Sequence, residues 1–149
     1  MSKKDKKSKK EKKLSKATKK HTCHDHAPKP VTTEKAPAAL GPYSQAMKSC
    51  HFVFASGQLG IDPTSGRLPE STTAQTAQAI ANLQAVLEEA GSSLDNVVKT
   101  TCFMTNLGMF DAFNAEYAKH FSHAPARECV QVAALPKGAA VEISAIAII

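Results

Sequence analysis

The chain has 149 residues, 42% hydrophobic and 21% charged, with a formal net charge of +6, which suits one domain with an ordinary core and not several. Twelve of its nineteen basic residues are lysines between Met1 and Pro30, set against three acids, so that segment carries +9 and the remainder −3. The basic pI therefore does not predict a phosphate-binding fold, and no apolar run approaches the ~20 residues of a membrane span or the core of a secretory signal.

Residues 1–34 read as a disordered lysine-rich tail and linker, and residues 35–149 as the folded domain. The tail has almost nothing apolar to bury against the entropy of ordering it. Its plainer role is a solvated, solubilising segment; its functional one is weak electrostatic contact with RNA, ribosomes or another anionic surface. No aromatic residue interleaves the lysines, so base stacking is unavailable there. The tail has no arginine, which disfavours a mitochondrial presequence; cytosol is the expected location, with the mitochondrion left open. His21, Cys23, His24 and His26 are metal-capable but follow no zinc-module spacing and have no folded second shell, so no metal site is expected. Neither GxGxxG nor a P-loop occurs, and no cofactor is expected. Cys23, Cys50, Cys102 and Cys129 form no CxxC pair and read as reduced thiols.

Pro28, Pro30 and Pro37 bracket the linker, after which short apolar stretches begin. Tyr43–Met47 and His51–Ala55 predict a hairpin turning near Lys48 and Ser49, and 62–66 (DPTSG) predicts a loop. From Ser71 to Ala90 the period becomes helical. Thr76, Ile80, Leu83 and Leu87 share one face, with Gln75, Gln78, Gln84 and Glu88 mostly off it; Ser71 or Thr72 caps the start and Gly91 the end. Val97–Met104 predicts a strand and Met109–Phe121 a second amphipathic helix. Glu128–Ala133 and Val141–Ile148 predict closing strands around an LPKG turn. Cys102, Met104 and Met109 read as core. The order ββαβαββ implies an α+β fold, a mixed sheet with both helices on one face. The other face meets solvent or another copy, and the apolar last strand favours another copy.

Among candidate functional residues, Arg127 stands out: a guanidinium at the margin of a largely apolar strand suits a bidentate grip on a carboxylate. An ion pair with Glu128 or Glu142 is the bland alternative.

The segments APAALGPYSQA, SGQLGIDPTSG, VVKTTCFMTNL, FNAEYAKHF and PARECVQVAALPKGAAVEISAIA, in this order, resemble the YjgF/RidA family of enamine/imine deaminases across Ala36 to Ile149. The resemblance implies a chorismate-mutase-like fold and a homotrimeric barrel with clefts between subunits. It implies cofactor-free hydrolysis of 2-aminoacrylate, 2-iminopropanoate and 2-iminobutanoate to 2-oxo acids and ammonia. Arg127 matches the residue that clamps the substrate carboxylate, and Glu142 the one that orients water. Cys129 matches a position whose backbone, more than its thiol, lies against the substrate. Tyr43, Ser56, Gly57 and Asn114 match further cleft positions, although Tyr43 also reads as core and Asn114 as a helix-surface amide. Ala134 departs from the basic residue that relatives often carry before the LP turn.

Two other functions compete. One is an RNA-directed endoribonuclease or translation inhibitor, which the −3 domain disfavours unless the tail supplies the affinity. The other is a carboxylate-binding or chaperone-like trimer without turnover.

Overall fold

The computed structural model describes residues 27–149; the lysine runs and the HTCHDH cluster lie outside these residues. Among the described residues six strands and two α-helices follow one another: β1 (Lys29–Val31), β2 (Ala46–Ser49), β3 (Phe52–Leu59), α1 (Thr72–Glu89), β4 (Val97–Met104), α2 (Phe110–Tyr117), β5 (Ala126–Gln131) and β6 (Val141–Ile148). They form one sheet in the order β1-β2-β3-β6-β4-β5, antiparallel except for the β4–β5 pair. This is the expected mixed sheet with one strand more than the sequence suggested.

That strand lies before residue 35. Lys29–Val31 pairs with Ala46–Lys48, Val31 is buried, and Thr33 is held by the buried Gln45. The hairpin turn also falls later than expected, at Cys50 and His51, with Cys50 in the left-handed region (φ 52) and Ser49 paired to Phe52. β3 then runs through Ser56 and Gly57 instead of stopping at Ala55. Two residues there, Ser56 and Gly57, stand opposite the single Ser144 of β6, since Ala55 pairs with Ala145 and Gln58 with Ile143. The result is a β-bulge, a feature that re-aims side chains beside functional sites.

α1 spans the expected stretch. The Ser71 hydroxyl accepts the Ala74 amide at 3.2 Å, and Gly91, at φ 85, supplies the left-handed exit. Its apolar face, with Ile80, Leu83 and Leu87, covers the sheet over Val53, Ile143 and Ala145, and α2 adds Phe113 and Tyr117 to the same core. Both helices therefore lie on one face. Met104 and Cys102 are buried as expected, whereas Met109 is 37% exposed because it precedes α2 instead of lying on its inner face. Gln75, expected off the apolar face, is buried too. Its amide spans from the Pro69 carbonyl (2.8 Å) to the Ala140 amide (2.8 Å) and fixes the approach to β6.

Candidate active site

Arg127 lies in β5 itself, which begins at Ala126, two residues before the expected strand. It is in register with Thr100, whose hydroxyl is buried on the helix side and hydrogen-bonded to the Tyr117 hydroxyl at 2.7 Å. The guanidinium therefore points to the helix face. There it meets three rings of α2, with Cζ 4.7 Å from the Tyr117 centroid and 5.7 Å from those of Phe110 and Phe113. Aromatic faces stabilise a cation without neutralising it. Glu128, the acid expected to compete for Arg127, is instead bonded to Lys99 Nζ at 2.9 Å and points to the other face. Among the described residues Arg127 has no carboxylate partner.

Cys129 lies two residues further along β5 on the same face, in register with the buried Cys102. Burial raises both thiols above their ordinary range, Cys102 to about 12. Neither is poised as a thiolate. Asn114 falls between Phe110 and Tyr117 on the face of α2 that these rings define, and its Oδ1 is buried without a donor. Such an orphaned acceptor costs about 1–3 kcal/mol unless something supplies the hydrogen bond.

Glu142 belongs to a second group. It alternates along β6 with Val141 and Ile143, both buried beneath the helices, so its side chain emerges on the opposite face from Arg127. Among the described residues no ion pair or hydrogen bond engages its carboxyl, which burial raises above the usual carboxylate range. The β3 bulge brings Gly57 against it: a Cβ there would lie within 2.6 Å of Glu142 Cδ. The missing side chain of Gly57 is thus the space that the carboxyl occupies. Tyr43 and Gly57 line a common crevice with Leu40, Gln58 and Leu59. Tyr43 is 49% exposed and is not a core residue; its hydroxyl accepts the Leu40 amide at 3.0 Å. Ser56 donates to the Ser44 carbonyl at 2.7 Å, tying the bulge to the segment that carries Tyr43.

The seven residues singled out from the sequence thus fall into two sets. Arg127, Cys129 and Asn114 stand at the β5–α2 edge; Glu142, Gly57, Ser56 and Tyr43 gather around the bulge. Sequence reasoning missed the aromatic cradle of Arg127, although the spacing of Phe110, Phe113 and Tyr117 marked their common helix face. It also missed Gln45, whose buried amide holds Thr33, Ala36 and Pro37 and so shapes the segment leading to Tyr43. No cluster of His, Cys, Asp or Glu suited to a metal occurs among the described residues, nor is any helix there long and apolar enough to cross a membrane.

The fold and the sequence have clear relatives. The chain belongs to the YjgF/RidA family, whose model, described as endoribonuclease L-PSP, matches residues 33–149. A RutC family protein of Haemophilus influenzae is 45% identical over 79% of this chain and 95% of its own length. The 2-iminobutanoate/2-iminopropanoate deaminase of Capra hircus is 48% identical over 79% of this chain and 88% of its own. In the crystal structure of RidA from an Antarctic Psychrobacter, 47% identity accompanies a TM-score of 0.79, covering 81% of this chain and 99% of that one.

Proposed function

We propose that the protein hydrolyses small 2-imino acids, and their enamine tautomers such as 2-aminoacrylate, to 2-oxo acids and ammonia, in clefts formed where one copy's β5–α2 edge meets another copy's β3–β6 bulge. The observation that carries this reading is Arg127, a cation set on aromatic rings with no acid of its own. It is suited to a carboxylate brought by a substrate, and its fork geometry would fix the plane of that carboxylate.

The chemistry needs little more. Water adds to the carbon of the protonated imine while the C=N electron pair moves to nitrogen, and Glu142 accepts the proton that the water releases. As the carbinolamine collapses, its oxygen forms the C=O bond, the C–N bond breaks, Glu142 returns that proton to the departing amine, and the remaining hydroxyl proton passes back to the Glu142 carboxylate. A carboxyl held above its usual range by burial is closer in pKa to this two-way task than an exposed one. Asn114 Oδ1 accepts from the substrate nitrogen, and the polarised imine requires mainly orientation and a placed water. No metal or cofactor enters.

Arg127 and Glu142 point to opposite faces of the sheet within one chain, and the open face carries Phe52, Phe54, Val130 and Ile148 exposed. Both facts favour a closed assembly of copies; the trimer is the form we propose. The relatives named as imine deaminases add support. The family model's description favours a ribonuclease, but residues 31–149 are net acidic. RNA affinity would then have to reside in the N-terminal lysines and disappear from a chain beginning at Ala27.

The test is a coupled assay in which an oxidase acting on alanine generates 2-iminopropanoate and semicarbazide traps it. The protein should divert the imine to pyruvate before trapping, and Arg127→Ala should not. Trapping unaffected by the wild-type protein would refute the proposal.

A further inference from the structure

A cavity of about 600 Å³ adjoins the Tyr43–Gly57 crevice across a shared wall of Leu40 and Ile61. None of the seven site residues lines it. Its floor is apolar. Leu59, Ile61 and Ala139 form a small buried cluster apart from the main core, with Leu68 and Leu135 packed on it. Arg67 and Lys137 also line the cavity, and among the described residues neither makes an ion pair. The one acid there, Asp62, is engaged by its own loop, its Oδ1 accepting the amides of Thr64 (2.7 Å) and Ser65 (2.9 Å).

The walls are fixed before anything binds. Asn82, buried in α1, donates to the Ile61 carbonyl at 2.8 Å, and the Asp62 amide donates to the Arg67 carbonyl at 2.9 Å. On the other side Gln45 Nε2 donates to the Pro37 carbonyl at 2.8 Å. Lys137 stands at φ 61, next to Gly138 at φ 71. A left-handed position is met at lower cost by glycine or asparagine, so lysine there spends stability to carry its ammonium at this place. Arg67 feels the charge of Asp62 without bonding to it, so the lining carries two cations against one carboxylate; a preformed cavity with an apolar floor and that cationic excess has the chemistry of a site for an anion with a hydrocarbon body.

We propose that this cavity binds a small aliphatic carboxylate, its head held by Arg67 and Lys137 and its chain laid on Ile61, Leu68 and Leu40, independently of Arg127. The experiment is isothermal titration of the full-length chain with octanoate at low salt, with octanol as the uncharged control. Arg127→Ala separates this cavity from the other carboxylate site. Saturable binding should persist in Arg127→Ala, be absent for octanol, and weaken by roughly tenfold or more in the Arg67→Gln/Lys137→Gln double variant. Both side chains are exposed, so the fold should survive their replacement. Lys137→Gly gives a second signature: melting temperature should rise as the left-handed strain is relieved while octanoate affinity falls. Binding lost in Arg127→Ala but kept in the double variant would place the anion at β5 and overturn the proposal. So would no saturable binding to wild type, or Lys137→Gly with unchanged affinity.

Discussion

The β5–α2 edge and the β3–β6 bulge are built on opposite principles. At the edge, a permanent cation is held by aromatic rings and denied an acid. At the bulge, a carboxyl is pressed into a half-buried position by the missing side chain of Gly57 and denied a base. Each region keeps a charge that folding alone would have paired. Arg127 and Glu142, each without an ion-pair partner among the described residues and set on opposite faces, make sense together if a third molecule is to lie between one copy's arginine and another copy's glutamate.

Removing the bulge carboxyl should have the largest effect. Glu142→Gln keeps the shape and loses the proton acceptor, so kcat should fall by about 10²-fold or more with KM little changed. The same variant reports on stability. Because burial raises the Glu142 pKa in the folded state, its ionisation opposes folding: the wild type is favoured below the ordinary carboxylate range and loses that advantage as pH rises through the raised value. Glu142→Gln should therefore melt higher than wild type at neutral pH, and the gap should close in acid. At the edge, Arg127→Lys keeps the charge and loses the fork, and a drop of about tenfold in kcat/KM, mostly in KM, is expected. Arg127→Ala should cost roughly 100-fold.

Gly57→Ala tests whether the two residues at the bulge act together. Its Cβ would displace the end of a flexible side chain and not the backbone, so melting should change little while kcat falls by about tenfold as the carboxyl is pushed from its place. A variant that lost stability and kept kcat would separate Gly57 from Glu142. Asn114→Leu should raise KM a few-fold and cost no stability, since it removes a buried acceptor with no donor. Cys129→Ala should change kcat/KM by less than about threefold, because a thiol whose pKa burial raises is a poor nucleophile at neutral pH.

The two regions also differ in how far the sequence revealed them. The α1 helix, β4, β6 and the LPKG turn were legible because period, capping and turn chemistry are local. Arg127 stood out as a charge in an apolar strand, and the motif resemblance supplied the rest of the residue set. What was not legible depends on packing across the sheet. The Ser56–Gly57 bulge exists only in the pairing of β3 with β6, so β3 was expected to stop at Ala55. β1 was hidden because Lys29 and Pro30 share the composition of the lysine-rich segment, while its single buried residue, Val31, gives no periodicity. Gln75 was expected mostly off the apolar face, yet it is buried because the approach to β6 presents the Ala140 amide for it to bond. That the site residues divide between two faces follows from strand register, which single-chain spacing does not encode.

If Arg127 of one copy works with Glu142 of another, two inactive chains should complement each other when mixed. Arg127→Ala and Glu142→Gln, co-expressed in equal amounts so that copies assemble at random, should regain about a quarter of the wild-type imine-hydrolysing activity, because about that fraction of clefts pairs an intact arginine with an intact glutamate. Mixed protein as inactive as either parent, with assembly of the two chains demonstrated, would contradict a site shared between copies.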